Sequence, residues 1–179
     1  HIAAMVRRCR DILPLPISPK ADTVVCSYGA SVSFGEMPVI IGERINPTGK
    51  PRLQQALREG DMGYLQQEAV AQQEMGARVL DVNVGLPGLP EAGLLVQAVE
   101  GIQAVTDAPL QLDTADPQAL SAALRRYNGK ALINSVNGKA ASMAAVFPLV
   151  QRYGGVVVAL PLDEGGIPQT AQGRLDIAK

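Results

Sequence analysis

From Val39 onward, five short apolar runs alternate with amphipathic stretches, and this alternation leaves few architectures open. The runs are "VIIGERIN", "ARVLDVNVG", "APLQLDT", "KALINS" and "GVVVALPL", starting near residues 39, 78, 109, 130 and 155. Between them apolar residues recur at helical spacing. Leu95, Ala98, Ile102 and Val105 form one such set; Leu120, Leu124 and Tyr127 form another; Met143, Val146, Val150 and Tyr153 form a third. Asp116-Pro117 supplies an N-cap and a first-turn proline. Gly76, Gly129 and Gly154 stand where helices should stop. Strands that are apolar on both faces and separated by helices form parallel sheets covered on both sides, joined by right-handed crossovers.

An open doubly wound sheet and a (β/α)8 barrel both satisfy this pattern. The doubly wound dinucleotide fold places G-x-G-x-x-G after its first strand, and "GERINPTGK" has no such spacing. "PTGK" is not a phosphate-binding P-loop either, because Pro51 stands where Ser or Thr is required. The expected fold is therefore α/β, a TIM barrel. A complete barrel takes ~250 residues. The segment from Val39 to Lys179 accommodates about five βα units, with "PQTAQGRLDIAK" as the beginning of the fifth helix. The expectation is an incomplete barrel over residues 39–179.

Residues 1–38 read differently. "HIAAMVRRCRDIL" has Ile2, Met5, Val6 and Cys9 on one helical face. "PLPISPKADTVVCSYGASVSFGEMP" is proline-rich at its start and lacks periodicity, so it reads as a linker with a short strand at Thr23–Ser27. A helix followed by such a linker is expected at the end of an upstream domain.

Composition narrows the function classes. Hydrophobic residues make up 47% and charged residues 18%, which permits a buried core and argues against disorder. Net charge is −1 and aromatics are 3% with no Trp, so neither bulk charge nor stacking surface favours nucleic acid or an anionic membrane. No apolar run reaches the ~20 residues of a membrane span; "AASMAAVFPLV" is shorter and contains Pro148. Arg7, Arg8 and Arg10 are not followed by the apolar segment of a signal peptide, and a cytoplasmic location is expected. Cys9 and Cys26 are expected as reduced thiols. The single histidine is His1, and zinc requires about four ligands, so no metal site is expected within the chain.

Each of the first four strands ends in polar groups: Glu43 and Asn46, Asp81 and Asn83, Asp113 with Thr114, and Asn134 with Ser135. In a parallel barrel these ends converge on one mouth, where active sites lie. After the fifth strand only Asp163 and Glu164 follow, in a loop, and these are expected to be solvated or capping residues. Asp113 and Asn134 each directly end an apolar run, where burial of a polar group is costly without a partner. The set contains carboxylates and amides, without His, Cys or Lys at a strand end, which suits ligand binding better than nucleophilic catalysis. An ionised Asp accepts two parallel N–H bonds, and an Asn both donates and accepts. The edge of a 2-amino-4-oxo pterin ring presents that pattern.

"VIIGERINPTGK", "VLDVNVG", "LQLDT" and "LINSVNG", in this order and spacing, resemble the pterin-binding methyltransferase family over roughly residues 39–170. That family includes the folate-binding barrels of cobalamin-dependent methionine synthases, the methyltetrahydrofolate:corrinoid methyltransferases and, more distantly, dihydropteroate synthases. The resemblance implies that Asp113 and Asn134 bind the pterin ring, that Asp81 and Asn83 line or support the pocket, and that Glu43 and Asn46 stand at its mouth. It implies 5-methyltetrahydrofolate as substrate, and cobalamin or another corrinoid held by a separate domain or protein. It further implies methyl transfer to that corrinoid and then to homocysteine. Zinc would belong to an upstream homocysteine-binding domain, of which "HIAAMVRRC" resembles the last helix. The family's site also uses an aspartate on strand six and an asparagine on strand seven that reaches the pterin N5. Neither falls before Lys179, so a 179-residue chain is expected to be inactive alone. Open edges at the first and fifth strands invite self-association. A dihydropteroate synthase-like enzyme and a non-catalytic pterin-binding module are the alternative readings.

Overall fold

The computed structural model describes residues 1–13, 16, 21–35 and 37–179. Most of the proline-rich part of the expected linker lies outside the described residues. Helix α1 (Ile2–Cys9) is present as the apolar spacing predicts, and none of its residues is buried. The expected strand appears as β1 (Thr23–Cys26), but it is not isolated. It pairs antiparallel with β2 (Ser31–Phe34), with Thr23 opposite Phe34 and Cys26 opposite Ser31.

Five parallel strands follow in the order β3 (Ile41–Ile45), β4 (Val79–Val82), β5 (Leu110–Asp113), β6 (Leu132–Asn137) and β7 (Val156–Leu160). Each strand lies beside its neighbour in sequence, without the reversal of order that defines a doubly wound sheet. This is the strand order of a barrel segment. Two helices, α2 (Pro51–Glu59) and α3 (Met62–Glu74), fill the first crossover; α4 (Glu91–Gln103), α5 (Pro117–Arg126) and α6 (Ala140–Tyr153) fill the next three, and α7 (Ala171–Ala178) follows β7. The punctuation acts as its chemistry demands. Asp116 accepts a hydrogen bond from the Gln118 backbone N–H with Pro117 in the first turn, and Gly154 ends α6 at φ +76°.

The sheet separates two apolar layers. Leu80, Val82, Leu110, Leu112 and Ile133 pack outward against Leu65, Leu95, Ile102 and Leu120 of the helices. Val79 and Leu132 face the other way and join Val25 and Val32 of the hairpin. The hairpin therefore closes the N-terminal end of the barrel and supplies its floor. Burying each such Val or Leu contributes about 1.5–3 kcal/mol. The hairpin is bolted in place by reciprocal backbone hydrogen bonds between Cys26 and Lys130, at 3.0 and 2.8 Å. Tyr127 adds a second tie: its hydroxyl donates to the Cys26 carbonyl at 2.9 Å and accepts from the Leu110 N–H at 3.1 Å. Gly129 permits the close approach. A Cβ there would sit 2.2 Å from the Cys26 carbonyl oxygen, and its φ of +144° disfavours any other residue.

No helix among the described residues is long and apolar enough to cross a membrane. Both cysteines are free thiols, Cys9 exposed and Cys26 half-buried.

Candidate functional site

Side chains alternate across each strand, so the faces assigned to Val79 and Leu132 fix the rest. On β4, Val79 points inward and Leu80 outward; Asp81 and then Asn83 share the inner face. On β5, Leu110 and Leu112 point outward, so Gln111 and Asp113 point in. On β6, Leu132 is inward and Ile133 outward, which turns Asn134 inward. The barrel interior thus rises from an apolar floor through Asp81 and Gln111 to Asn83, Asp113 and Asn134 at the mouth.

These residues form a bonded set. Asp113 and Asn134 are register partners on adjacent strands, and both are half-buried. Asn83 donates its side-chain N–H to Asp113 Oδ2 at 2.9 Å, while its own Oδ1 accepts from the Gly85 N–H at 2.9 Å. Both ends of that amide are committed, so its orientation is fixed. Gln111 donates to Asp81 Oδ1 in the layer beneath. Asp81 is only 2% exposed. Its carboxyl is pushed up to about 6, chiefly by burial, with the Asp113 and Glu43 carboxylates adding to the rise while the Gln111 and Asn134 amides oppose it. A cleft of about 440 Å³ opens beside Asp113 and Asn134, with Thr114, Ser135, Asn137 and Ser142 among its lining residues.

Glu43 and Asn46 are not hydrogen-bonded to this set. Pairing of β3 with β4 slips between Gly42 and Ile45, and the two residues bind each other: Asn46 Nδ2 donates to Glu43 Oε1 at 3.1 Å. Asn46 Oδ1 accepts from the Thr48 N–H at 3.0 Å, and Lys50 Nζ donates to the Glu43 carbonyl at 2.8 Å. No hydrogen bond among the described residues joins them to Asp113 or Asn134. Asp163 and Glu164 behave as the sequence reading expects. Asp163 Oδ1 accepts from the Gly165 N–H at 2.8 Å within its own turn. Glu164 accepts from the Ala140 N–H at the start of α6, a bond that lowers its carboxyl below the usual range.

Gln111 is the inner-face residue the sequence reading missed. Its signal lies in the period-two pattern of "LQLD", which places it on the face of Asp113. No group of three or more metal-ligating side chains occurs among the described residues.

Comparison with known proteins adds three relatives and a family. Residues 42–176 match the family model described as pterin binding enzyme. A methylcorrinoid:tetrahydrofolate methyltransferase of Eubacterium limosum is 31% identical over 143 residues, covering 79% of this chain and 52% of that protein. A methionine synthase of Mycobacterium leprae (strain TN) is 29% identical over 189 residues, covering 100% of this chain and 16% of that protein. A methionine synthase of Mycobacterium tuberculosis (strain ATCC 25618 / H37Rv) is 31% identical over 146 residues, covering 79% and 12%. The chain thus spans about half the length of the first relative and a small part of the other two.

Proposed function

The chain belongs to the family of pterin-binding enzymes, and from that premise we propose that its barrel mouth binds the pterin ring of 5-methyltetrahydrofolate for methyl transfer to a corrinoid and then to homocysteine. The observation that carries this reading is the placement of Asp113 beside Asn134, in register on β5 and β6, with Asn83 holding the carboxylate. The ionised Asp113 accepts from the ring's amino group and adjacent N–H. Asn134 supplies the mixed donor–acceptor contact to the same ring. Asn83 orients Asp113, Asp81 lies beneath them, and Glu43 and Asn46 form the β3 side of the mouth.

These residues bind and orient the ring; none is assigned to N5. A reduced corrinoid, carried by a separate domain or protein, supplies the nucleophile that accepts the methyl group. Zinc is assigned to an upstream homocysteine-binding domain. In this reading α1 belongs to the end of that domain, and the barrel unit begins at Thr23, because the hairpin packs against the barrel strands.

Isothermal calorimetry with 5-methyltetrahydrofolate tests the reading. Binding by the native chain that is lost in Asp113→Ala supports it. Binding that persists undiminished in Asp113→Ala overturns it.

A further inference from the structure

Asp81 and Gln111 face each other across β4 and β5, one step deeper than the residues at the mouth. They are 2% and 7% exposed. A glutamine at such a position is costly, since its amide must be desolvated and its long side chain ordered. An apolar residue fills the neighbouring register position on β6, where Leu132 stands beside Gln111. The only side-chain hydrogen bond that Gln111 makes among the described residues is the one to Asp81. The amide is therefore accounted for by the carboxylate and by nothing else.

The carboxylate in turn depends on the amide. Around Asp81 stand Gln111 and Asp113 from β5, Glu43 from β3 and Asn134 from β6. Two of these are acidic and none is cationic. Burial drives the Asp81 carboxyl up to about 6, and the Gln111 hydrogen bond is the largest influence acting the other way.

We propose that Gln111 is a positioning residue of the pterin site, holding the Asp81 carboxylate oriented and ionised beneath the ring that Asp113 and Asn134 bind. The proposal rests on the pterin reading above. An ionised Asp81 accepts a hydrogen bond from the ligand side, whereas a protonated one offers O–H. Gln111 thereby sets the pH range over which the interior accepts a donor-rich ring.

Gln111→Met keeps the length of the side chain and removes the donor. The first readout is a 13C carboxyl NMR titration of aspartate-labelled chain, with Asp81→Asn identifying the signal. The Asp81 midpoint should rise in Gln111→Met, by about one pH unit or tenfold in proton affinity. The second readout is the affinity for 5-methyltetrahydrofolate between about pH 5 and 9. Its midpoint should move by the same amount, while affinity at the alkaline end stays within about threefold of native. An unmoved NMR midpoint, or a loss of affinity equal at every pH, overturns the proposal. Binding that is undiminished in Asp113→Ala defeats the pterin reading instead, and a shifted NMR midpoint then still shows that Gln111 governs the ionisation of Asp81.

Discussion

Asn83 on the β4 end holds Asp113 on the β5 end through a 2.9 Å hydrogen bond, so one candidate ligand-binding residue fixes another across the barrel mouth. The bond leaves Asp113 Oδ1 without a side-chain partner among the described residues. A carboxylate anchored at one oxygen and open at the other is preorganised for an incoming donor.

The two residues should therefore differ in how they fail. Asp113→Asn removes the charge proposed to accept from the ring, and hydrogen bonds to charged groups are worth about 1.5–3 kcal/mol. Pterin affinity should fall about 10- to 100-fold. Asn83→Ala removes only the orienting bond, worth about 0.5–1.5 kcal/mol, and should weaken binding by about two- to tenfold. Calorimetry on the pair checks the order; a larger loss in Asn83→Ala than in Asp113→Asn would refute these roles.

Asp81 should make the folded state less stable at neutral pH than in acid. Its folded value of about 6 lies above the ordinary 3.8. Its stabilising contribution is complete below about pH 4 and is lost as pH rises through about 6, at a cost of up to about 3 kcal/mol. Asp81→Asn keeps an acceptor for Gln111 and removes the buried charge. The variant should be more stable than native to urea at pH 8 and nearly equal at pH 4. Equal stability differences at both pH values would count against a buried carboxylate that lacks a cationic partner.

The end of the barrel opposite the mouth can be tested independently. Tyr127→Phe removes the hydroxyl that bridges the Cys26 carbonyl and the Leu110 N–H, leaving buried groups unpaired at a cost of about 1–3 kcal/mol. Gly129→Ala drives a methyl into the Cys26 carbonyl and should cost more. Both variants should lower the urea midpoint and increase hydrogen exchange in residues 23–34. Native exchange there in both variants would show that the hairpin is not held by these contacts.

Parts of this architecture were legible because physics wrote them locally. Strands buried on both faces must be apolar throughout, so "ARVLDV" and "KALIN" announced themselves, and polar groups ending such runs marked the mouth. The hairpin partner "SVSF" was not legible. Only Val32 within it is buried, and it is four residues long in a Gly-rich setting. Helix α3 was hidden for another reason: it buries Gln72 along with Leu65 and Ala69, and a polar core residue spoils an apolar count. Gln111 was obscured in the same way between two leucines. The Asn83–Asp113 bond joins residues thirty positions apart, and no local pattern encodes it.

Gln72 leads to a last prediction, about the β3 side of the mouth. Its Oε1 accepts from the Arg44 N–H at 2.7 Å and its Nε2 donates to the Glu68 carbonyl at 3.1 Å, latching the irregular end of β3 onto α3. Gly42 makes room for this latch, because a Cβ there would lie 2.6 Å from Gln72 Oε1 and 3.0 Å from the Ala77 Cβ. Gly42→Ala should therefore displace Gln72, free the Arg44 N–H and shift Glu43 and Asn46. We expect a stability loss of about 1–3 kcal/mol from the unpaired buried groups and crowding. Gln72→Ala alone should cost a similar amount through the lost latch. Truncating Gln72 removes the nearest clash of the added methyl, so the double variant should be less damaged than the sum of the two singles. Urea unfolding of all four chains gives this coupling directly. Strict additivity would mean that Gly42 and Gln72 do not act as one device, and that the position of Glu43 and Asn46 is set elsewhere.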